Sequence, residues 1–265
     1  MLKKQLIFPI LILISFSTYS QNRNWDSLGK EAAKTEYYTP VPPVVTPGGL
    51  PQDAPSDAII LFNGKDLNAW HGEDSTKPAG WKVADGIITV DKKTGGIITK
   101  QRFMDFQMHL EWRIPTEITG SSQARGNSGV FLAYLGMANG FLEDGYEVQI
   151  LDCYNNKTYV NGQTGSIYKQ AVPLANACKK PGEWQYYDII WKAPRFNADG
   201  SLKTPGYVTV LHNGVLLQNN TEVKGRTKWI GQPDYVAHGA SPIKLQAHGD
   251  PSPPVSFRNI WVRTL

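Results

Sequence analysis

The sequence has 265 residues, of which 41% are hydrophobic and 19% charged, enough apolar material for one large β domain or two small ones. Its 25 glycines and 18 prolines favour turns over long helices, and its 8 tryptophans and 12 tyrosines suit both sandwich cores and stacking on sugar rings. The net charge of +4 includes Lys3 and Lys4, and no later Lys/Arg cluster interleaves with aromatics, which leaves no case for nucleic-acid binding.

The chain opens with Lys3-Lys4, an apolar run from Leu6 to Ile14, and Thr18-Tyr19-Ser20 before Gln21. This is the pattern of a cleavable signal peptide over residues 1–20. The apolar run is too short for a membrane-spanning helix, and no cysteine follows it, so a lipoprotein is not expected. The expected product is periplasmic or secreted, with no membrane association after cleavage. Asn22 to Lys34 has room for one helix or none. Thr39 to Pro55 carries five prolines between Pro40 and Pro51, a density that favours extended polyproline geometry. Residues 21–57 therefore read as a linker or as an arm packed on a domain surface.

From Ala58 the pattern changes to short apolar or alternating runs. They are Ala58–Phe62, Trp81–Val83, Ile87–Val90, Gly96–Thr99, Phe106–Ile114, Gly129–Ala133, Tyr146–Leu151, Trp184–Trp191, Tyr207–Leu211, Ile243–Ala247 and Val255–Val262. Asn63-Gly64, Asp85-Gly86, Asn161-Gly162, Asp199-Gly200 and Asn213-Gly214 punctuate them. Many short strands with glycine turns predict an all-β sandwich or barrel over residues 58–265. Alternation in Phe106–Ile114 puts His109, Glu111 and Arg113 on one face and Met108, Leu110, Trp112 and Ile114 on the core side. Alternation in Tyr146–Asp152 puts Glu147, Gln149 and Leu151 on one face, with Val148 and Ile150 toward the core. Export permits a disulfide between Cys153 and Cys178, but spacing alone does not bring them together, and two cysteines without a second ligand pair do not make a zinc site.

Several local signatures recur in order: Leu61-Phe62-Asn63-Gly64-Lys65-Asp66-Leu67, Trp70, Trp81, Asp85-Gly86, Phe106 to Arg113, Gly126-Asn127-Ser128-Gly129-Val130, Tyr146 to Asp152, Thr164-Gly165-Ser166-Ile167-Tyr168, Gly182-Glu183-Trp184, His212-Asn213-Gly214-Val215, Leu245-Gln246-Ala247-His248-Gly249 and Val255 to Ile260. The set resembles the 3-keto-disaccharide hydrolase family, from about Ala58 to Leu265. The resemblance implies a concanavalin A-like jelly-roll sandwich of two antiparallel sheets, shared with lectins and laminarinase-type glucanases. It also implies exported enzymes that cleave 3-keto-glycosides, with an oligosaccharide or glycoside as substrate. The two-glutamate strand of laminarinases is absent. Glu147 and Asp152 fall on opposite faces, so one strand does not supply both carboxyls of a double-displacement glycosidase.

Glu147, His248 and Glu111 are the catalytic candidates. Glu147 is placed to act as a general base, His248 as a proton carrier or metal ligand, and Glu111 as a second carboxyl or, with Arg113, as a pair tuning Glu147. Gln149, Arg113, Arg258, Gln246, Asn127 and Tyr168 are the substrate-binding candidates, with Arg258 reaching over the open face toward a keto or hydroxyl oxygen. Glu147, Gln149, His248 and Arg258 are expected to converge on one concave surface. Asp152 is a candidate turn cap or calcium ligand; no metal is required by the sequence. A non-catalytic lectin-like module and a conventional glucanase are the competing readings.

Overall fold

The computed structural model describes residues 24–138 and 142–265. The leader, its cleavage site and the export they imply lie outside the described residues. The chain divides into two compact units, one ending at Val44 and one running from Val45 to Leu265. In the first, helix α1 (Trp25–Ala32) starts where the Asn24 side chain accepts a hydrogen bond from the Ser27 N–H at 3.2 Å, a standard N-cap. None of its residues is buried.

Among the described residues, the second unit holds fifteen strands: β1 (Ile59–Phe62), β2 (Trp70–Gly72), β3 (Lys82–Ala84), β4 (Ile87–Thr89), β5 (Ile97–Phe103), β6 (Phe106–Arg113), β7 (Ser128–Ala138), β8 (Leu142–Ile150), β9 (Gln185–Lys192), β10 (Arg195–Phe196), β11 (Leu202–Thr204), β12 (Gly206–His212), β13 (Val215–Val223), β14 (Ser241–Leu245) and β15 (Ser256–Thr264). Eight form one sheet, ordered β13-β12-β9-β6-β15-β4-β3 with β1 also on β15; five form the other, ordered β2-β5-β14-β7-β8; β10 and β11 make a separate hairpin. Every pairing is antiparallel. The architecture is the expected jelly-roll sandwich. Two of the expected hairpin turns form as such: Asp85-Gly86 joins β3 to β4, and Asn213-Gly214 joins β12 to β13, each with both residues at positive φ, the requirement of a type I′ turn.

The core fills the space between the sheets. Met108, Leu110 and Trp112 of β6 and Tyr187, Ile189 and Trp191 of β9 meet Tyr146, Val148 and Ile150 of β8 and Val130 and Leu132 of β7. Trp112 and Trp191 are fully buried, and truncating either to alanine would cost roughly 3–5 kcal/mol. Of the Pro-rich stretch, the portion in this unit packs on the larger sheet: the Gln52 carbonyl accepts from Asn259 Nδ2 at 3.0 Å and Trp261 Nε1 at 3.1 Å. Strands β2, β13 and the β10–β11 hairpin were not expected. In β13, register shifts against β12 break the alternation that would have marked it.

The two sheets separate the candidate residues. On β6 the core residues are Met108, Leu110 and Trp112, so Glu111 and Arg113 face outward from the larger sheet, and Arg258 of β15 pairs with Glu111 there. On β8 the core residues are Tyr146, Val148 and Ile150, so Glu147 and Gln149 face outward from the smaller sheet. The whole core lies between these groups. The expectation that Glu147 and Arg258 converge on one surface is therefore corrected. Alternation tells which side of a strand is polar, but not which sheet the strand joins.

Candidate active site

The outer face of the smaller sheet carries the strongest chemistry. Glu147 is 5% exposed and Gln149 1%. Cross-strand, Glu147 stands opposite Phe131 and Gln149 opposite Gly129 of β7. A side chain at Gly129 would place its Cβ 2.2 Å from Glu147 Oε1; the missing Cβ is what lets the carboxylate lie flat across β7. Beyond β8, the turn-rich segment Thr164–Tyr168 docks along the strand through one isolated bridge. Gly165 N–H donates to the Gln149 carbonyl at 2.9 Å, Gln149 N–H to the Ser166 carbonyl at 3.0 Å, and Tyr168 N–H to the Glu147 carbonyl at 3.2 Å. Ile167 bridges Val148 and belongs to the core, so its neighbour Tyr168 is directed to the outer face beside Glu147. From the core side, Tyr187 Oη donates to the Gln149 carbonyl at 2.7 Å, tying the site strand to the larger sheet.

The Gln149 amide stands between two sets of acceptors. On one side are Gln123 Oε1 at 3.0 Å and Asn127 Oδ1 at 3.4 Å; on the other, Glu147 Oε1 at 3.2 Å and the Ser128 carbonyl at 3.1 Å. Turned toward Glu147, its NH₂ donates to the carboxylate. Asn127 is itself buried and donates to the Gln123 carbonyl at 2.8 Å. Gln123 in turn donates to Thr158 Oγ1 and the Gly162 carbonyl, both at 2.9 Å. Asn127 thus braces the site rather than merely forming a turn.

Next to Glu147, Tyr159 Oη and Tyr168 Oη are 2.6 Å apart. Burial raises the pKa of both phenols, and the nearby Glu147 charge adds to the rise. Both are therefore neutral O–H groups at ordinary pH. Lys169 Nζ lies 5.7 Å from the Tyr159 ring centre and 5.9 Å from that of Tyr168, and donates to the Trp229 carbonyl at 2.7 Å. These groups border a cavity of about 430 Å³. Tyr159, Gln123, Lys169 and Trp229 lie in irregular segments whose spacing carries no signal of a shared site.

On the same face, β14 contributes Lys244, which is fully buried with Nζ 2.7 Å from Glu73 Oε1 and 4.6 Å from the Tyr134 ring centre. Burial opposes the Glu73 charge, but hydrogen bonds from Lys244 and from the Gly96 N–H prevail and lower its pKa. Alternation from Ile243 and Leu245 would have directed Lys244 outward, the one available sequence signal for it. Gln246 follows two residues on, its N–H donating to the Gly129 carbonyl at 3.0 Å. His248 lies two residues past it, with Nδ1 2.9 Å from Asp250 Oδ2. Burial opposes ionisation of Asp250, yet His248, Ser252 and Lys92 hold its pKa at about 2.

The remaining candidates are structural in their surroundings. Arg258 Nε donates to Glu111 Oε2 at 2.6 Å and Asn259 Nδ2 to Glu111 Oε1 at 2.9 Å. The guanidinium groups of Arg113 and Arg258 stack on Trp184 at 4.7 and 4.2 Å. Buried His109 contacts Asp188 at 2.7 Å and Glu111 at 3.9 Å. Glu111 therefore does not pair with Glu147 across a substrate, and Arg113 and Arg258 do not reach the Glu147 face. Asp152 accepts from Arg125 Nε at 2.6 Å and from the Tyr154 N–H at 3.0 Å, so its carboxylate serves as a cap and ion-pair partner. Among the described residues, no group of three or more His, Cys, Asp or Glu side chains is placed to hold a metal ion. Cys153 and Cys178 are free thiols in mutual contact. The Cys178 hydrogen bond, with those from Thr164, lowers the Cys153 pKa, while that of Cys178 is raised.

Comparison with known proteins agrees with this architecture. Three crystal structures from Parabacteroides distasonis ATCC 8503, each of a "putative glycosyl hydrolase", match the chain. The first has 61% identity and a TM-score of 0.81 over 88% of this chain and 96% of its own. The second has 25% identity and a TM-score of 0.58 over 78% and 94%, and the third 21% and 0.53 over 78% and 99%. A search of curated proteins finds no match. The profile of the 3-keto-alpha-glucoside-1,2-lyase-like domain matches residues 57–263, nearly all of the sandwich unit, and the chain belongs to that family.

Proposed function

We propose that this protein cleaves 3-keto-glycosides by proton abstraction at C2 and elimination at C1, with Glu147 as the base. The observation that carries the proposal is a buried carboxylate, lying over Gly129 on the open face of the smaller sheet beside two neutral tyrosine hydroxyls. A ketone at C3 makes the C2 proton acidic, because the carbanion left behind is an enolate. Glu147 takes that proton. The enolate then re-forms the ketone with a C1–C2 double bond as the C1–O bond breaks, and the Tyr159–Tyr168 pair supplies a proton to the departing oxygen. Addition of water, with OH to C1 and H to C2, gives the free 3-keto-sugar, so the net reaction is hydrolysis; release before hydration is the lyase outcome. This route needs one base and one acid, and no second carboxylate across the sugar. Glu111, the second carboxylate considered, lies on the other sheet's outer face in its ion pair with Arg258.

The test is Glu147→Gln, which keeps the shape and removes the proton acceptor. Turnover of a 3-keto-disaccharide should fall roughly 10²–10⁴-fold with binding and folding retained, and the unoxidised disaccharide should be inert to both proteins. In deuterated water the elimination–hydration product should carry deuterium at C2. Wild-type turnover in Glu147→Gln would refute the assignment. We also propose that the chain is exported after cleavage before Gln21, on the strength of Lys3-Lys4 and the Leu6–Ile14 run. Amino-terminal sequencing of the protein from a periplasmic fraction should begin near Gln21; an intact Met1 there would exclude it.

A further inference from the structure

Just past the end of β8, buried Cys153 meets half-buried Cys178, and the two thiols are hydrogen-bonded to one another. Asn176 holds their backbones together: its Nδ2 donates to the Cys153 carbonyl at 3.0 Å, and its Oδ1 accepts from the Cys178 N–H at 3.1 Å. The Thr164 N–H and Oγ–H both donate to Cys153 Sγ at 3.3 Å, and donors aimed at a sulfur favour its thiolate. The two cysteines come from opposite layers. Cys153 continues the chain beyond a strand of the smaller sheet. The segment holding Cys178 is tied to the larger sheet, where the Leu174 N–H donates to the Leu217 carbonyl at 2.9 Å, the Lys179 N–H to Gln185 Oε1 at 2.9 Å, and Asn213 Nδ2 to the Ala177 carbonyl at 2.8 Å. Neither cysteine lies in a helix or strand, so bringing the sulfurs to bonding distance breaks no ladder hydrogen bond.

We propose that Cys153 and Cys178 are a redox modification site, at which a small disulfide of the glutathione class converts the thiol pair into a cross-link between the two layers. Cys178, the more accessible thiol, exchanges first. Its sulfur attacks the oxidant disulfide, one thiol leaves with the Cys178 proton, and Cys178 is left as a mixed disulfide. Cys153 then attacks the Cys178 sulfur, and the second thiol leaves with the Cys153 proton. Two protein thiols are oxidised and one oxidant disulfide is reduced to two thiols. The product closes residues 154–177 into a ring that carries Tyr159 and Tyr168. Oxidation therefore fixes the loop bordering the Glu147 face, whatever the role of Glu147 itself.

The test incubates the folded full chain with oxidised glutathione, blocks remaining thiols, and digests with trypsin without reduction. Cleavage after Arg125, Lys157, Lys169 and Lys179 places the cysteines in peptides 126–157 and 170–179. Mass spectrometry should find these two peptides joined, lighter than their sum by two hydrogens. Calorimetry of the undigested protein should show a thermal midpoint raised by roughly 5–10 °C, as expected when a loop of roughly 25 residues is closed in the unfolded chain. Dithiothreitol should abolish both signals, and Cys178→Ser should show neither. The wild-type readouts decide the matter even if that variant folds poorly. Blocked thiols on both peptides, or a glutathione adduct on Cys178 with no joined peptides, overturns the proposal. Joined peptides with an unchanged midpoint overturn the claim that the link fixes the loop.

Discussion

Gly129→Ala is the most incisive perturbation of the site, because it moves the proposed base without touching it. Gly129 is outside the left-handed region, so the backbone accepts alanine. In a strand that change is worth about 0.5–1 kcal/mol in favour of folding. The new Cβ would start 2.2 Å from Glu147 Oε1 and 3.0 Å from Glu147 Cδ. To restore an ordinary contact of about 3.4 Å, the carboxylate oxygen must withdraw by about 1.2 Å, and Phe131 and Gln149 on either side limit where it can go. A displacement of about 1 Å in a positioned catalytic group costs about 100-fold in rate. Steady-state turnover of a 3-keto-disaccharide should therefore drop about 100-fold, while the thermal midpoint stays within a few degrees of wild type or rises. Activity within threefold of wild type, in a protein with an unaltered midpoint, would refute the argument that Glu147 must lie over Gly129 to act.

Three further outcomes concern stability. Burial opposes ionisation of Glu111, but hydrogen bonds from His109, Asn259 and Arg258 and the Arg258 charge hold its pKa at about 2 against 4.5. A depressed carboxylate contributes fully above its unfolded value and loses that contribution as pH falls toward the folded one. Urea unfolding between pH 4.5 and 2 should thus show an acid-dependent loss, which Glu111→Gln should flatten at a cost of about 1–2 kcal/mol at neutral pH. Burial likewise opposes the charge on His109, yet Asp188 and Glu111 raise its pKa; its contribution is full below 6.5 and fades as pH rises through the folded value, giving the opposite slope. Lys244→Met should cost about 2–3 kcal/mol by calorimetry, since it removes a fully buried ammonium from Glu73, whose side chain is 34% exposed and recovers part of its hydration. A neutral result would show that the pair is dispensable to the fold.

Much of the sandwich is legible along the chain because its inner strands alternate cleanly. Phe106–Arg113 and Tyr146–Ile150 each put large apolar groups on one side only, and the Asp85-Gly86 and Asn213-Gly214 turns admit few alternatives. Glu147, Gln149, Asn127 and Tyr168 were likewise accessible, since three lie on or beside one alternating strand. What alternation could not supply was partnership. Glu111 and Glu147 have the same local pattern, yet β6 sits deep in the larger sheet and β8 at the edge of the smaller. Nor could it supply the loops. Gln123 reaches Gln149, and Tyr159 reaches Tyr168, only because the 152–168 segment folds back along β8.

That fold-back also links the proton on Glu147 to the orientation of one amide. The Gln149 NH₂ can serve Gln123 and Asn127, or Glu147 and Ser128, but not both sets at once. Facing Glu147, it supplies a donor to the ionised carboxylate and favours the form that accepts a proton. Facing Gln123, it turns its own carbonyl oxygen toward Glu147, an arrangement that is repulsive for a carboxylate and favourable for a carboxylic acid that donates to it. In the proposed reaction, the orientation of this one amide would separate a site suited to taking the C2 proton from one suited to keeping it. A base that must first abstract a proton and later return one benefits from a neighbour that accommodates both states, and a strand glutamate open to water would have no such partner.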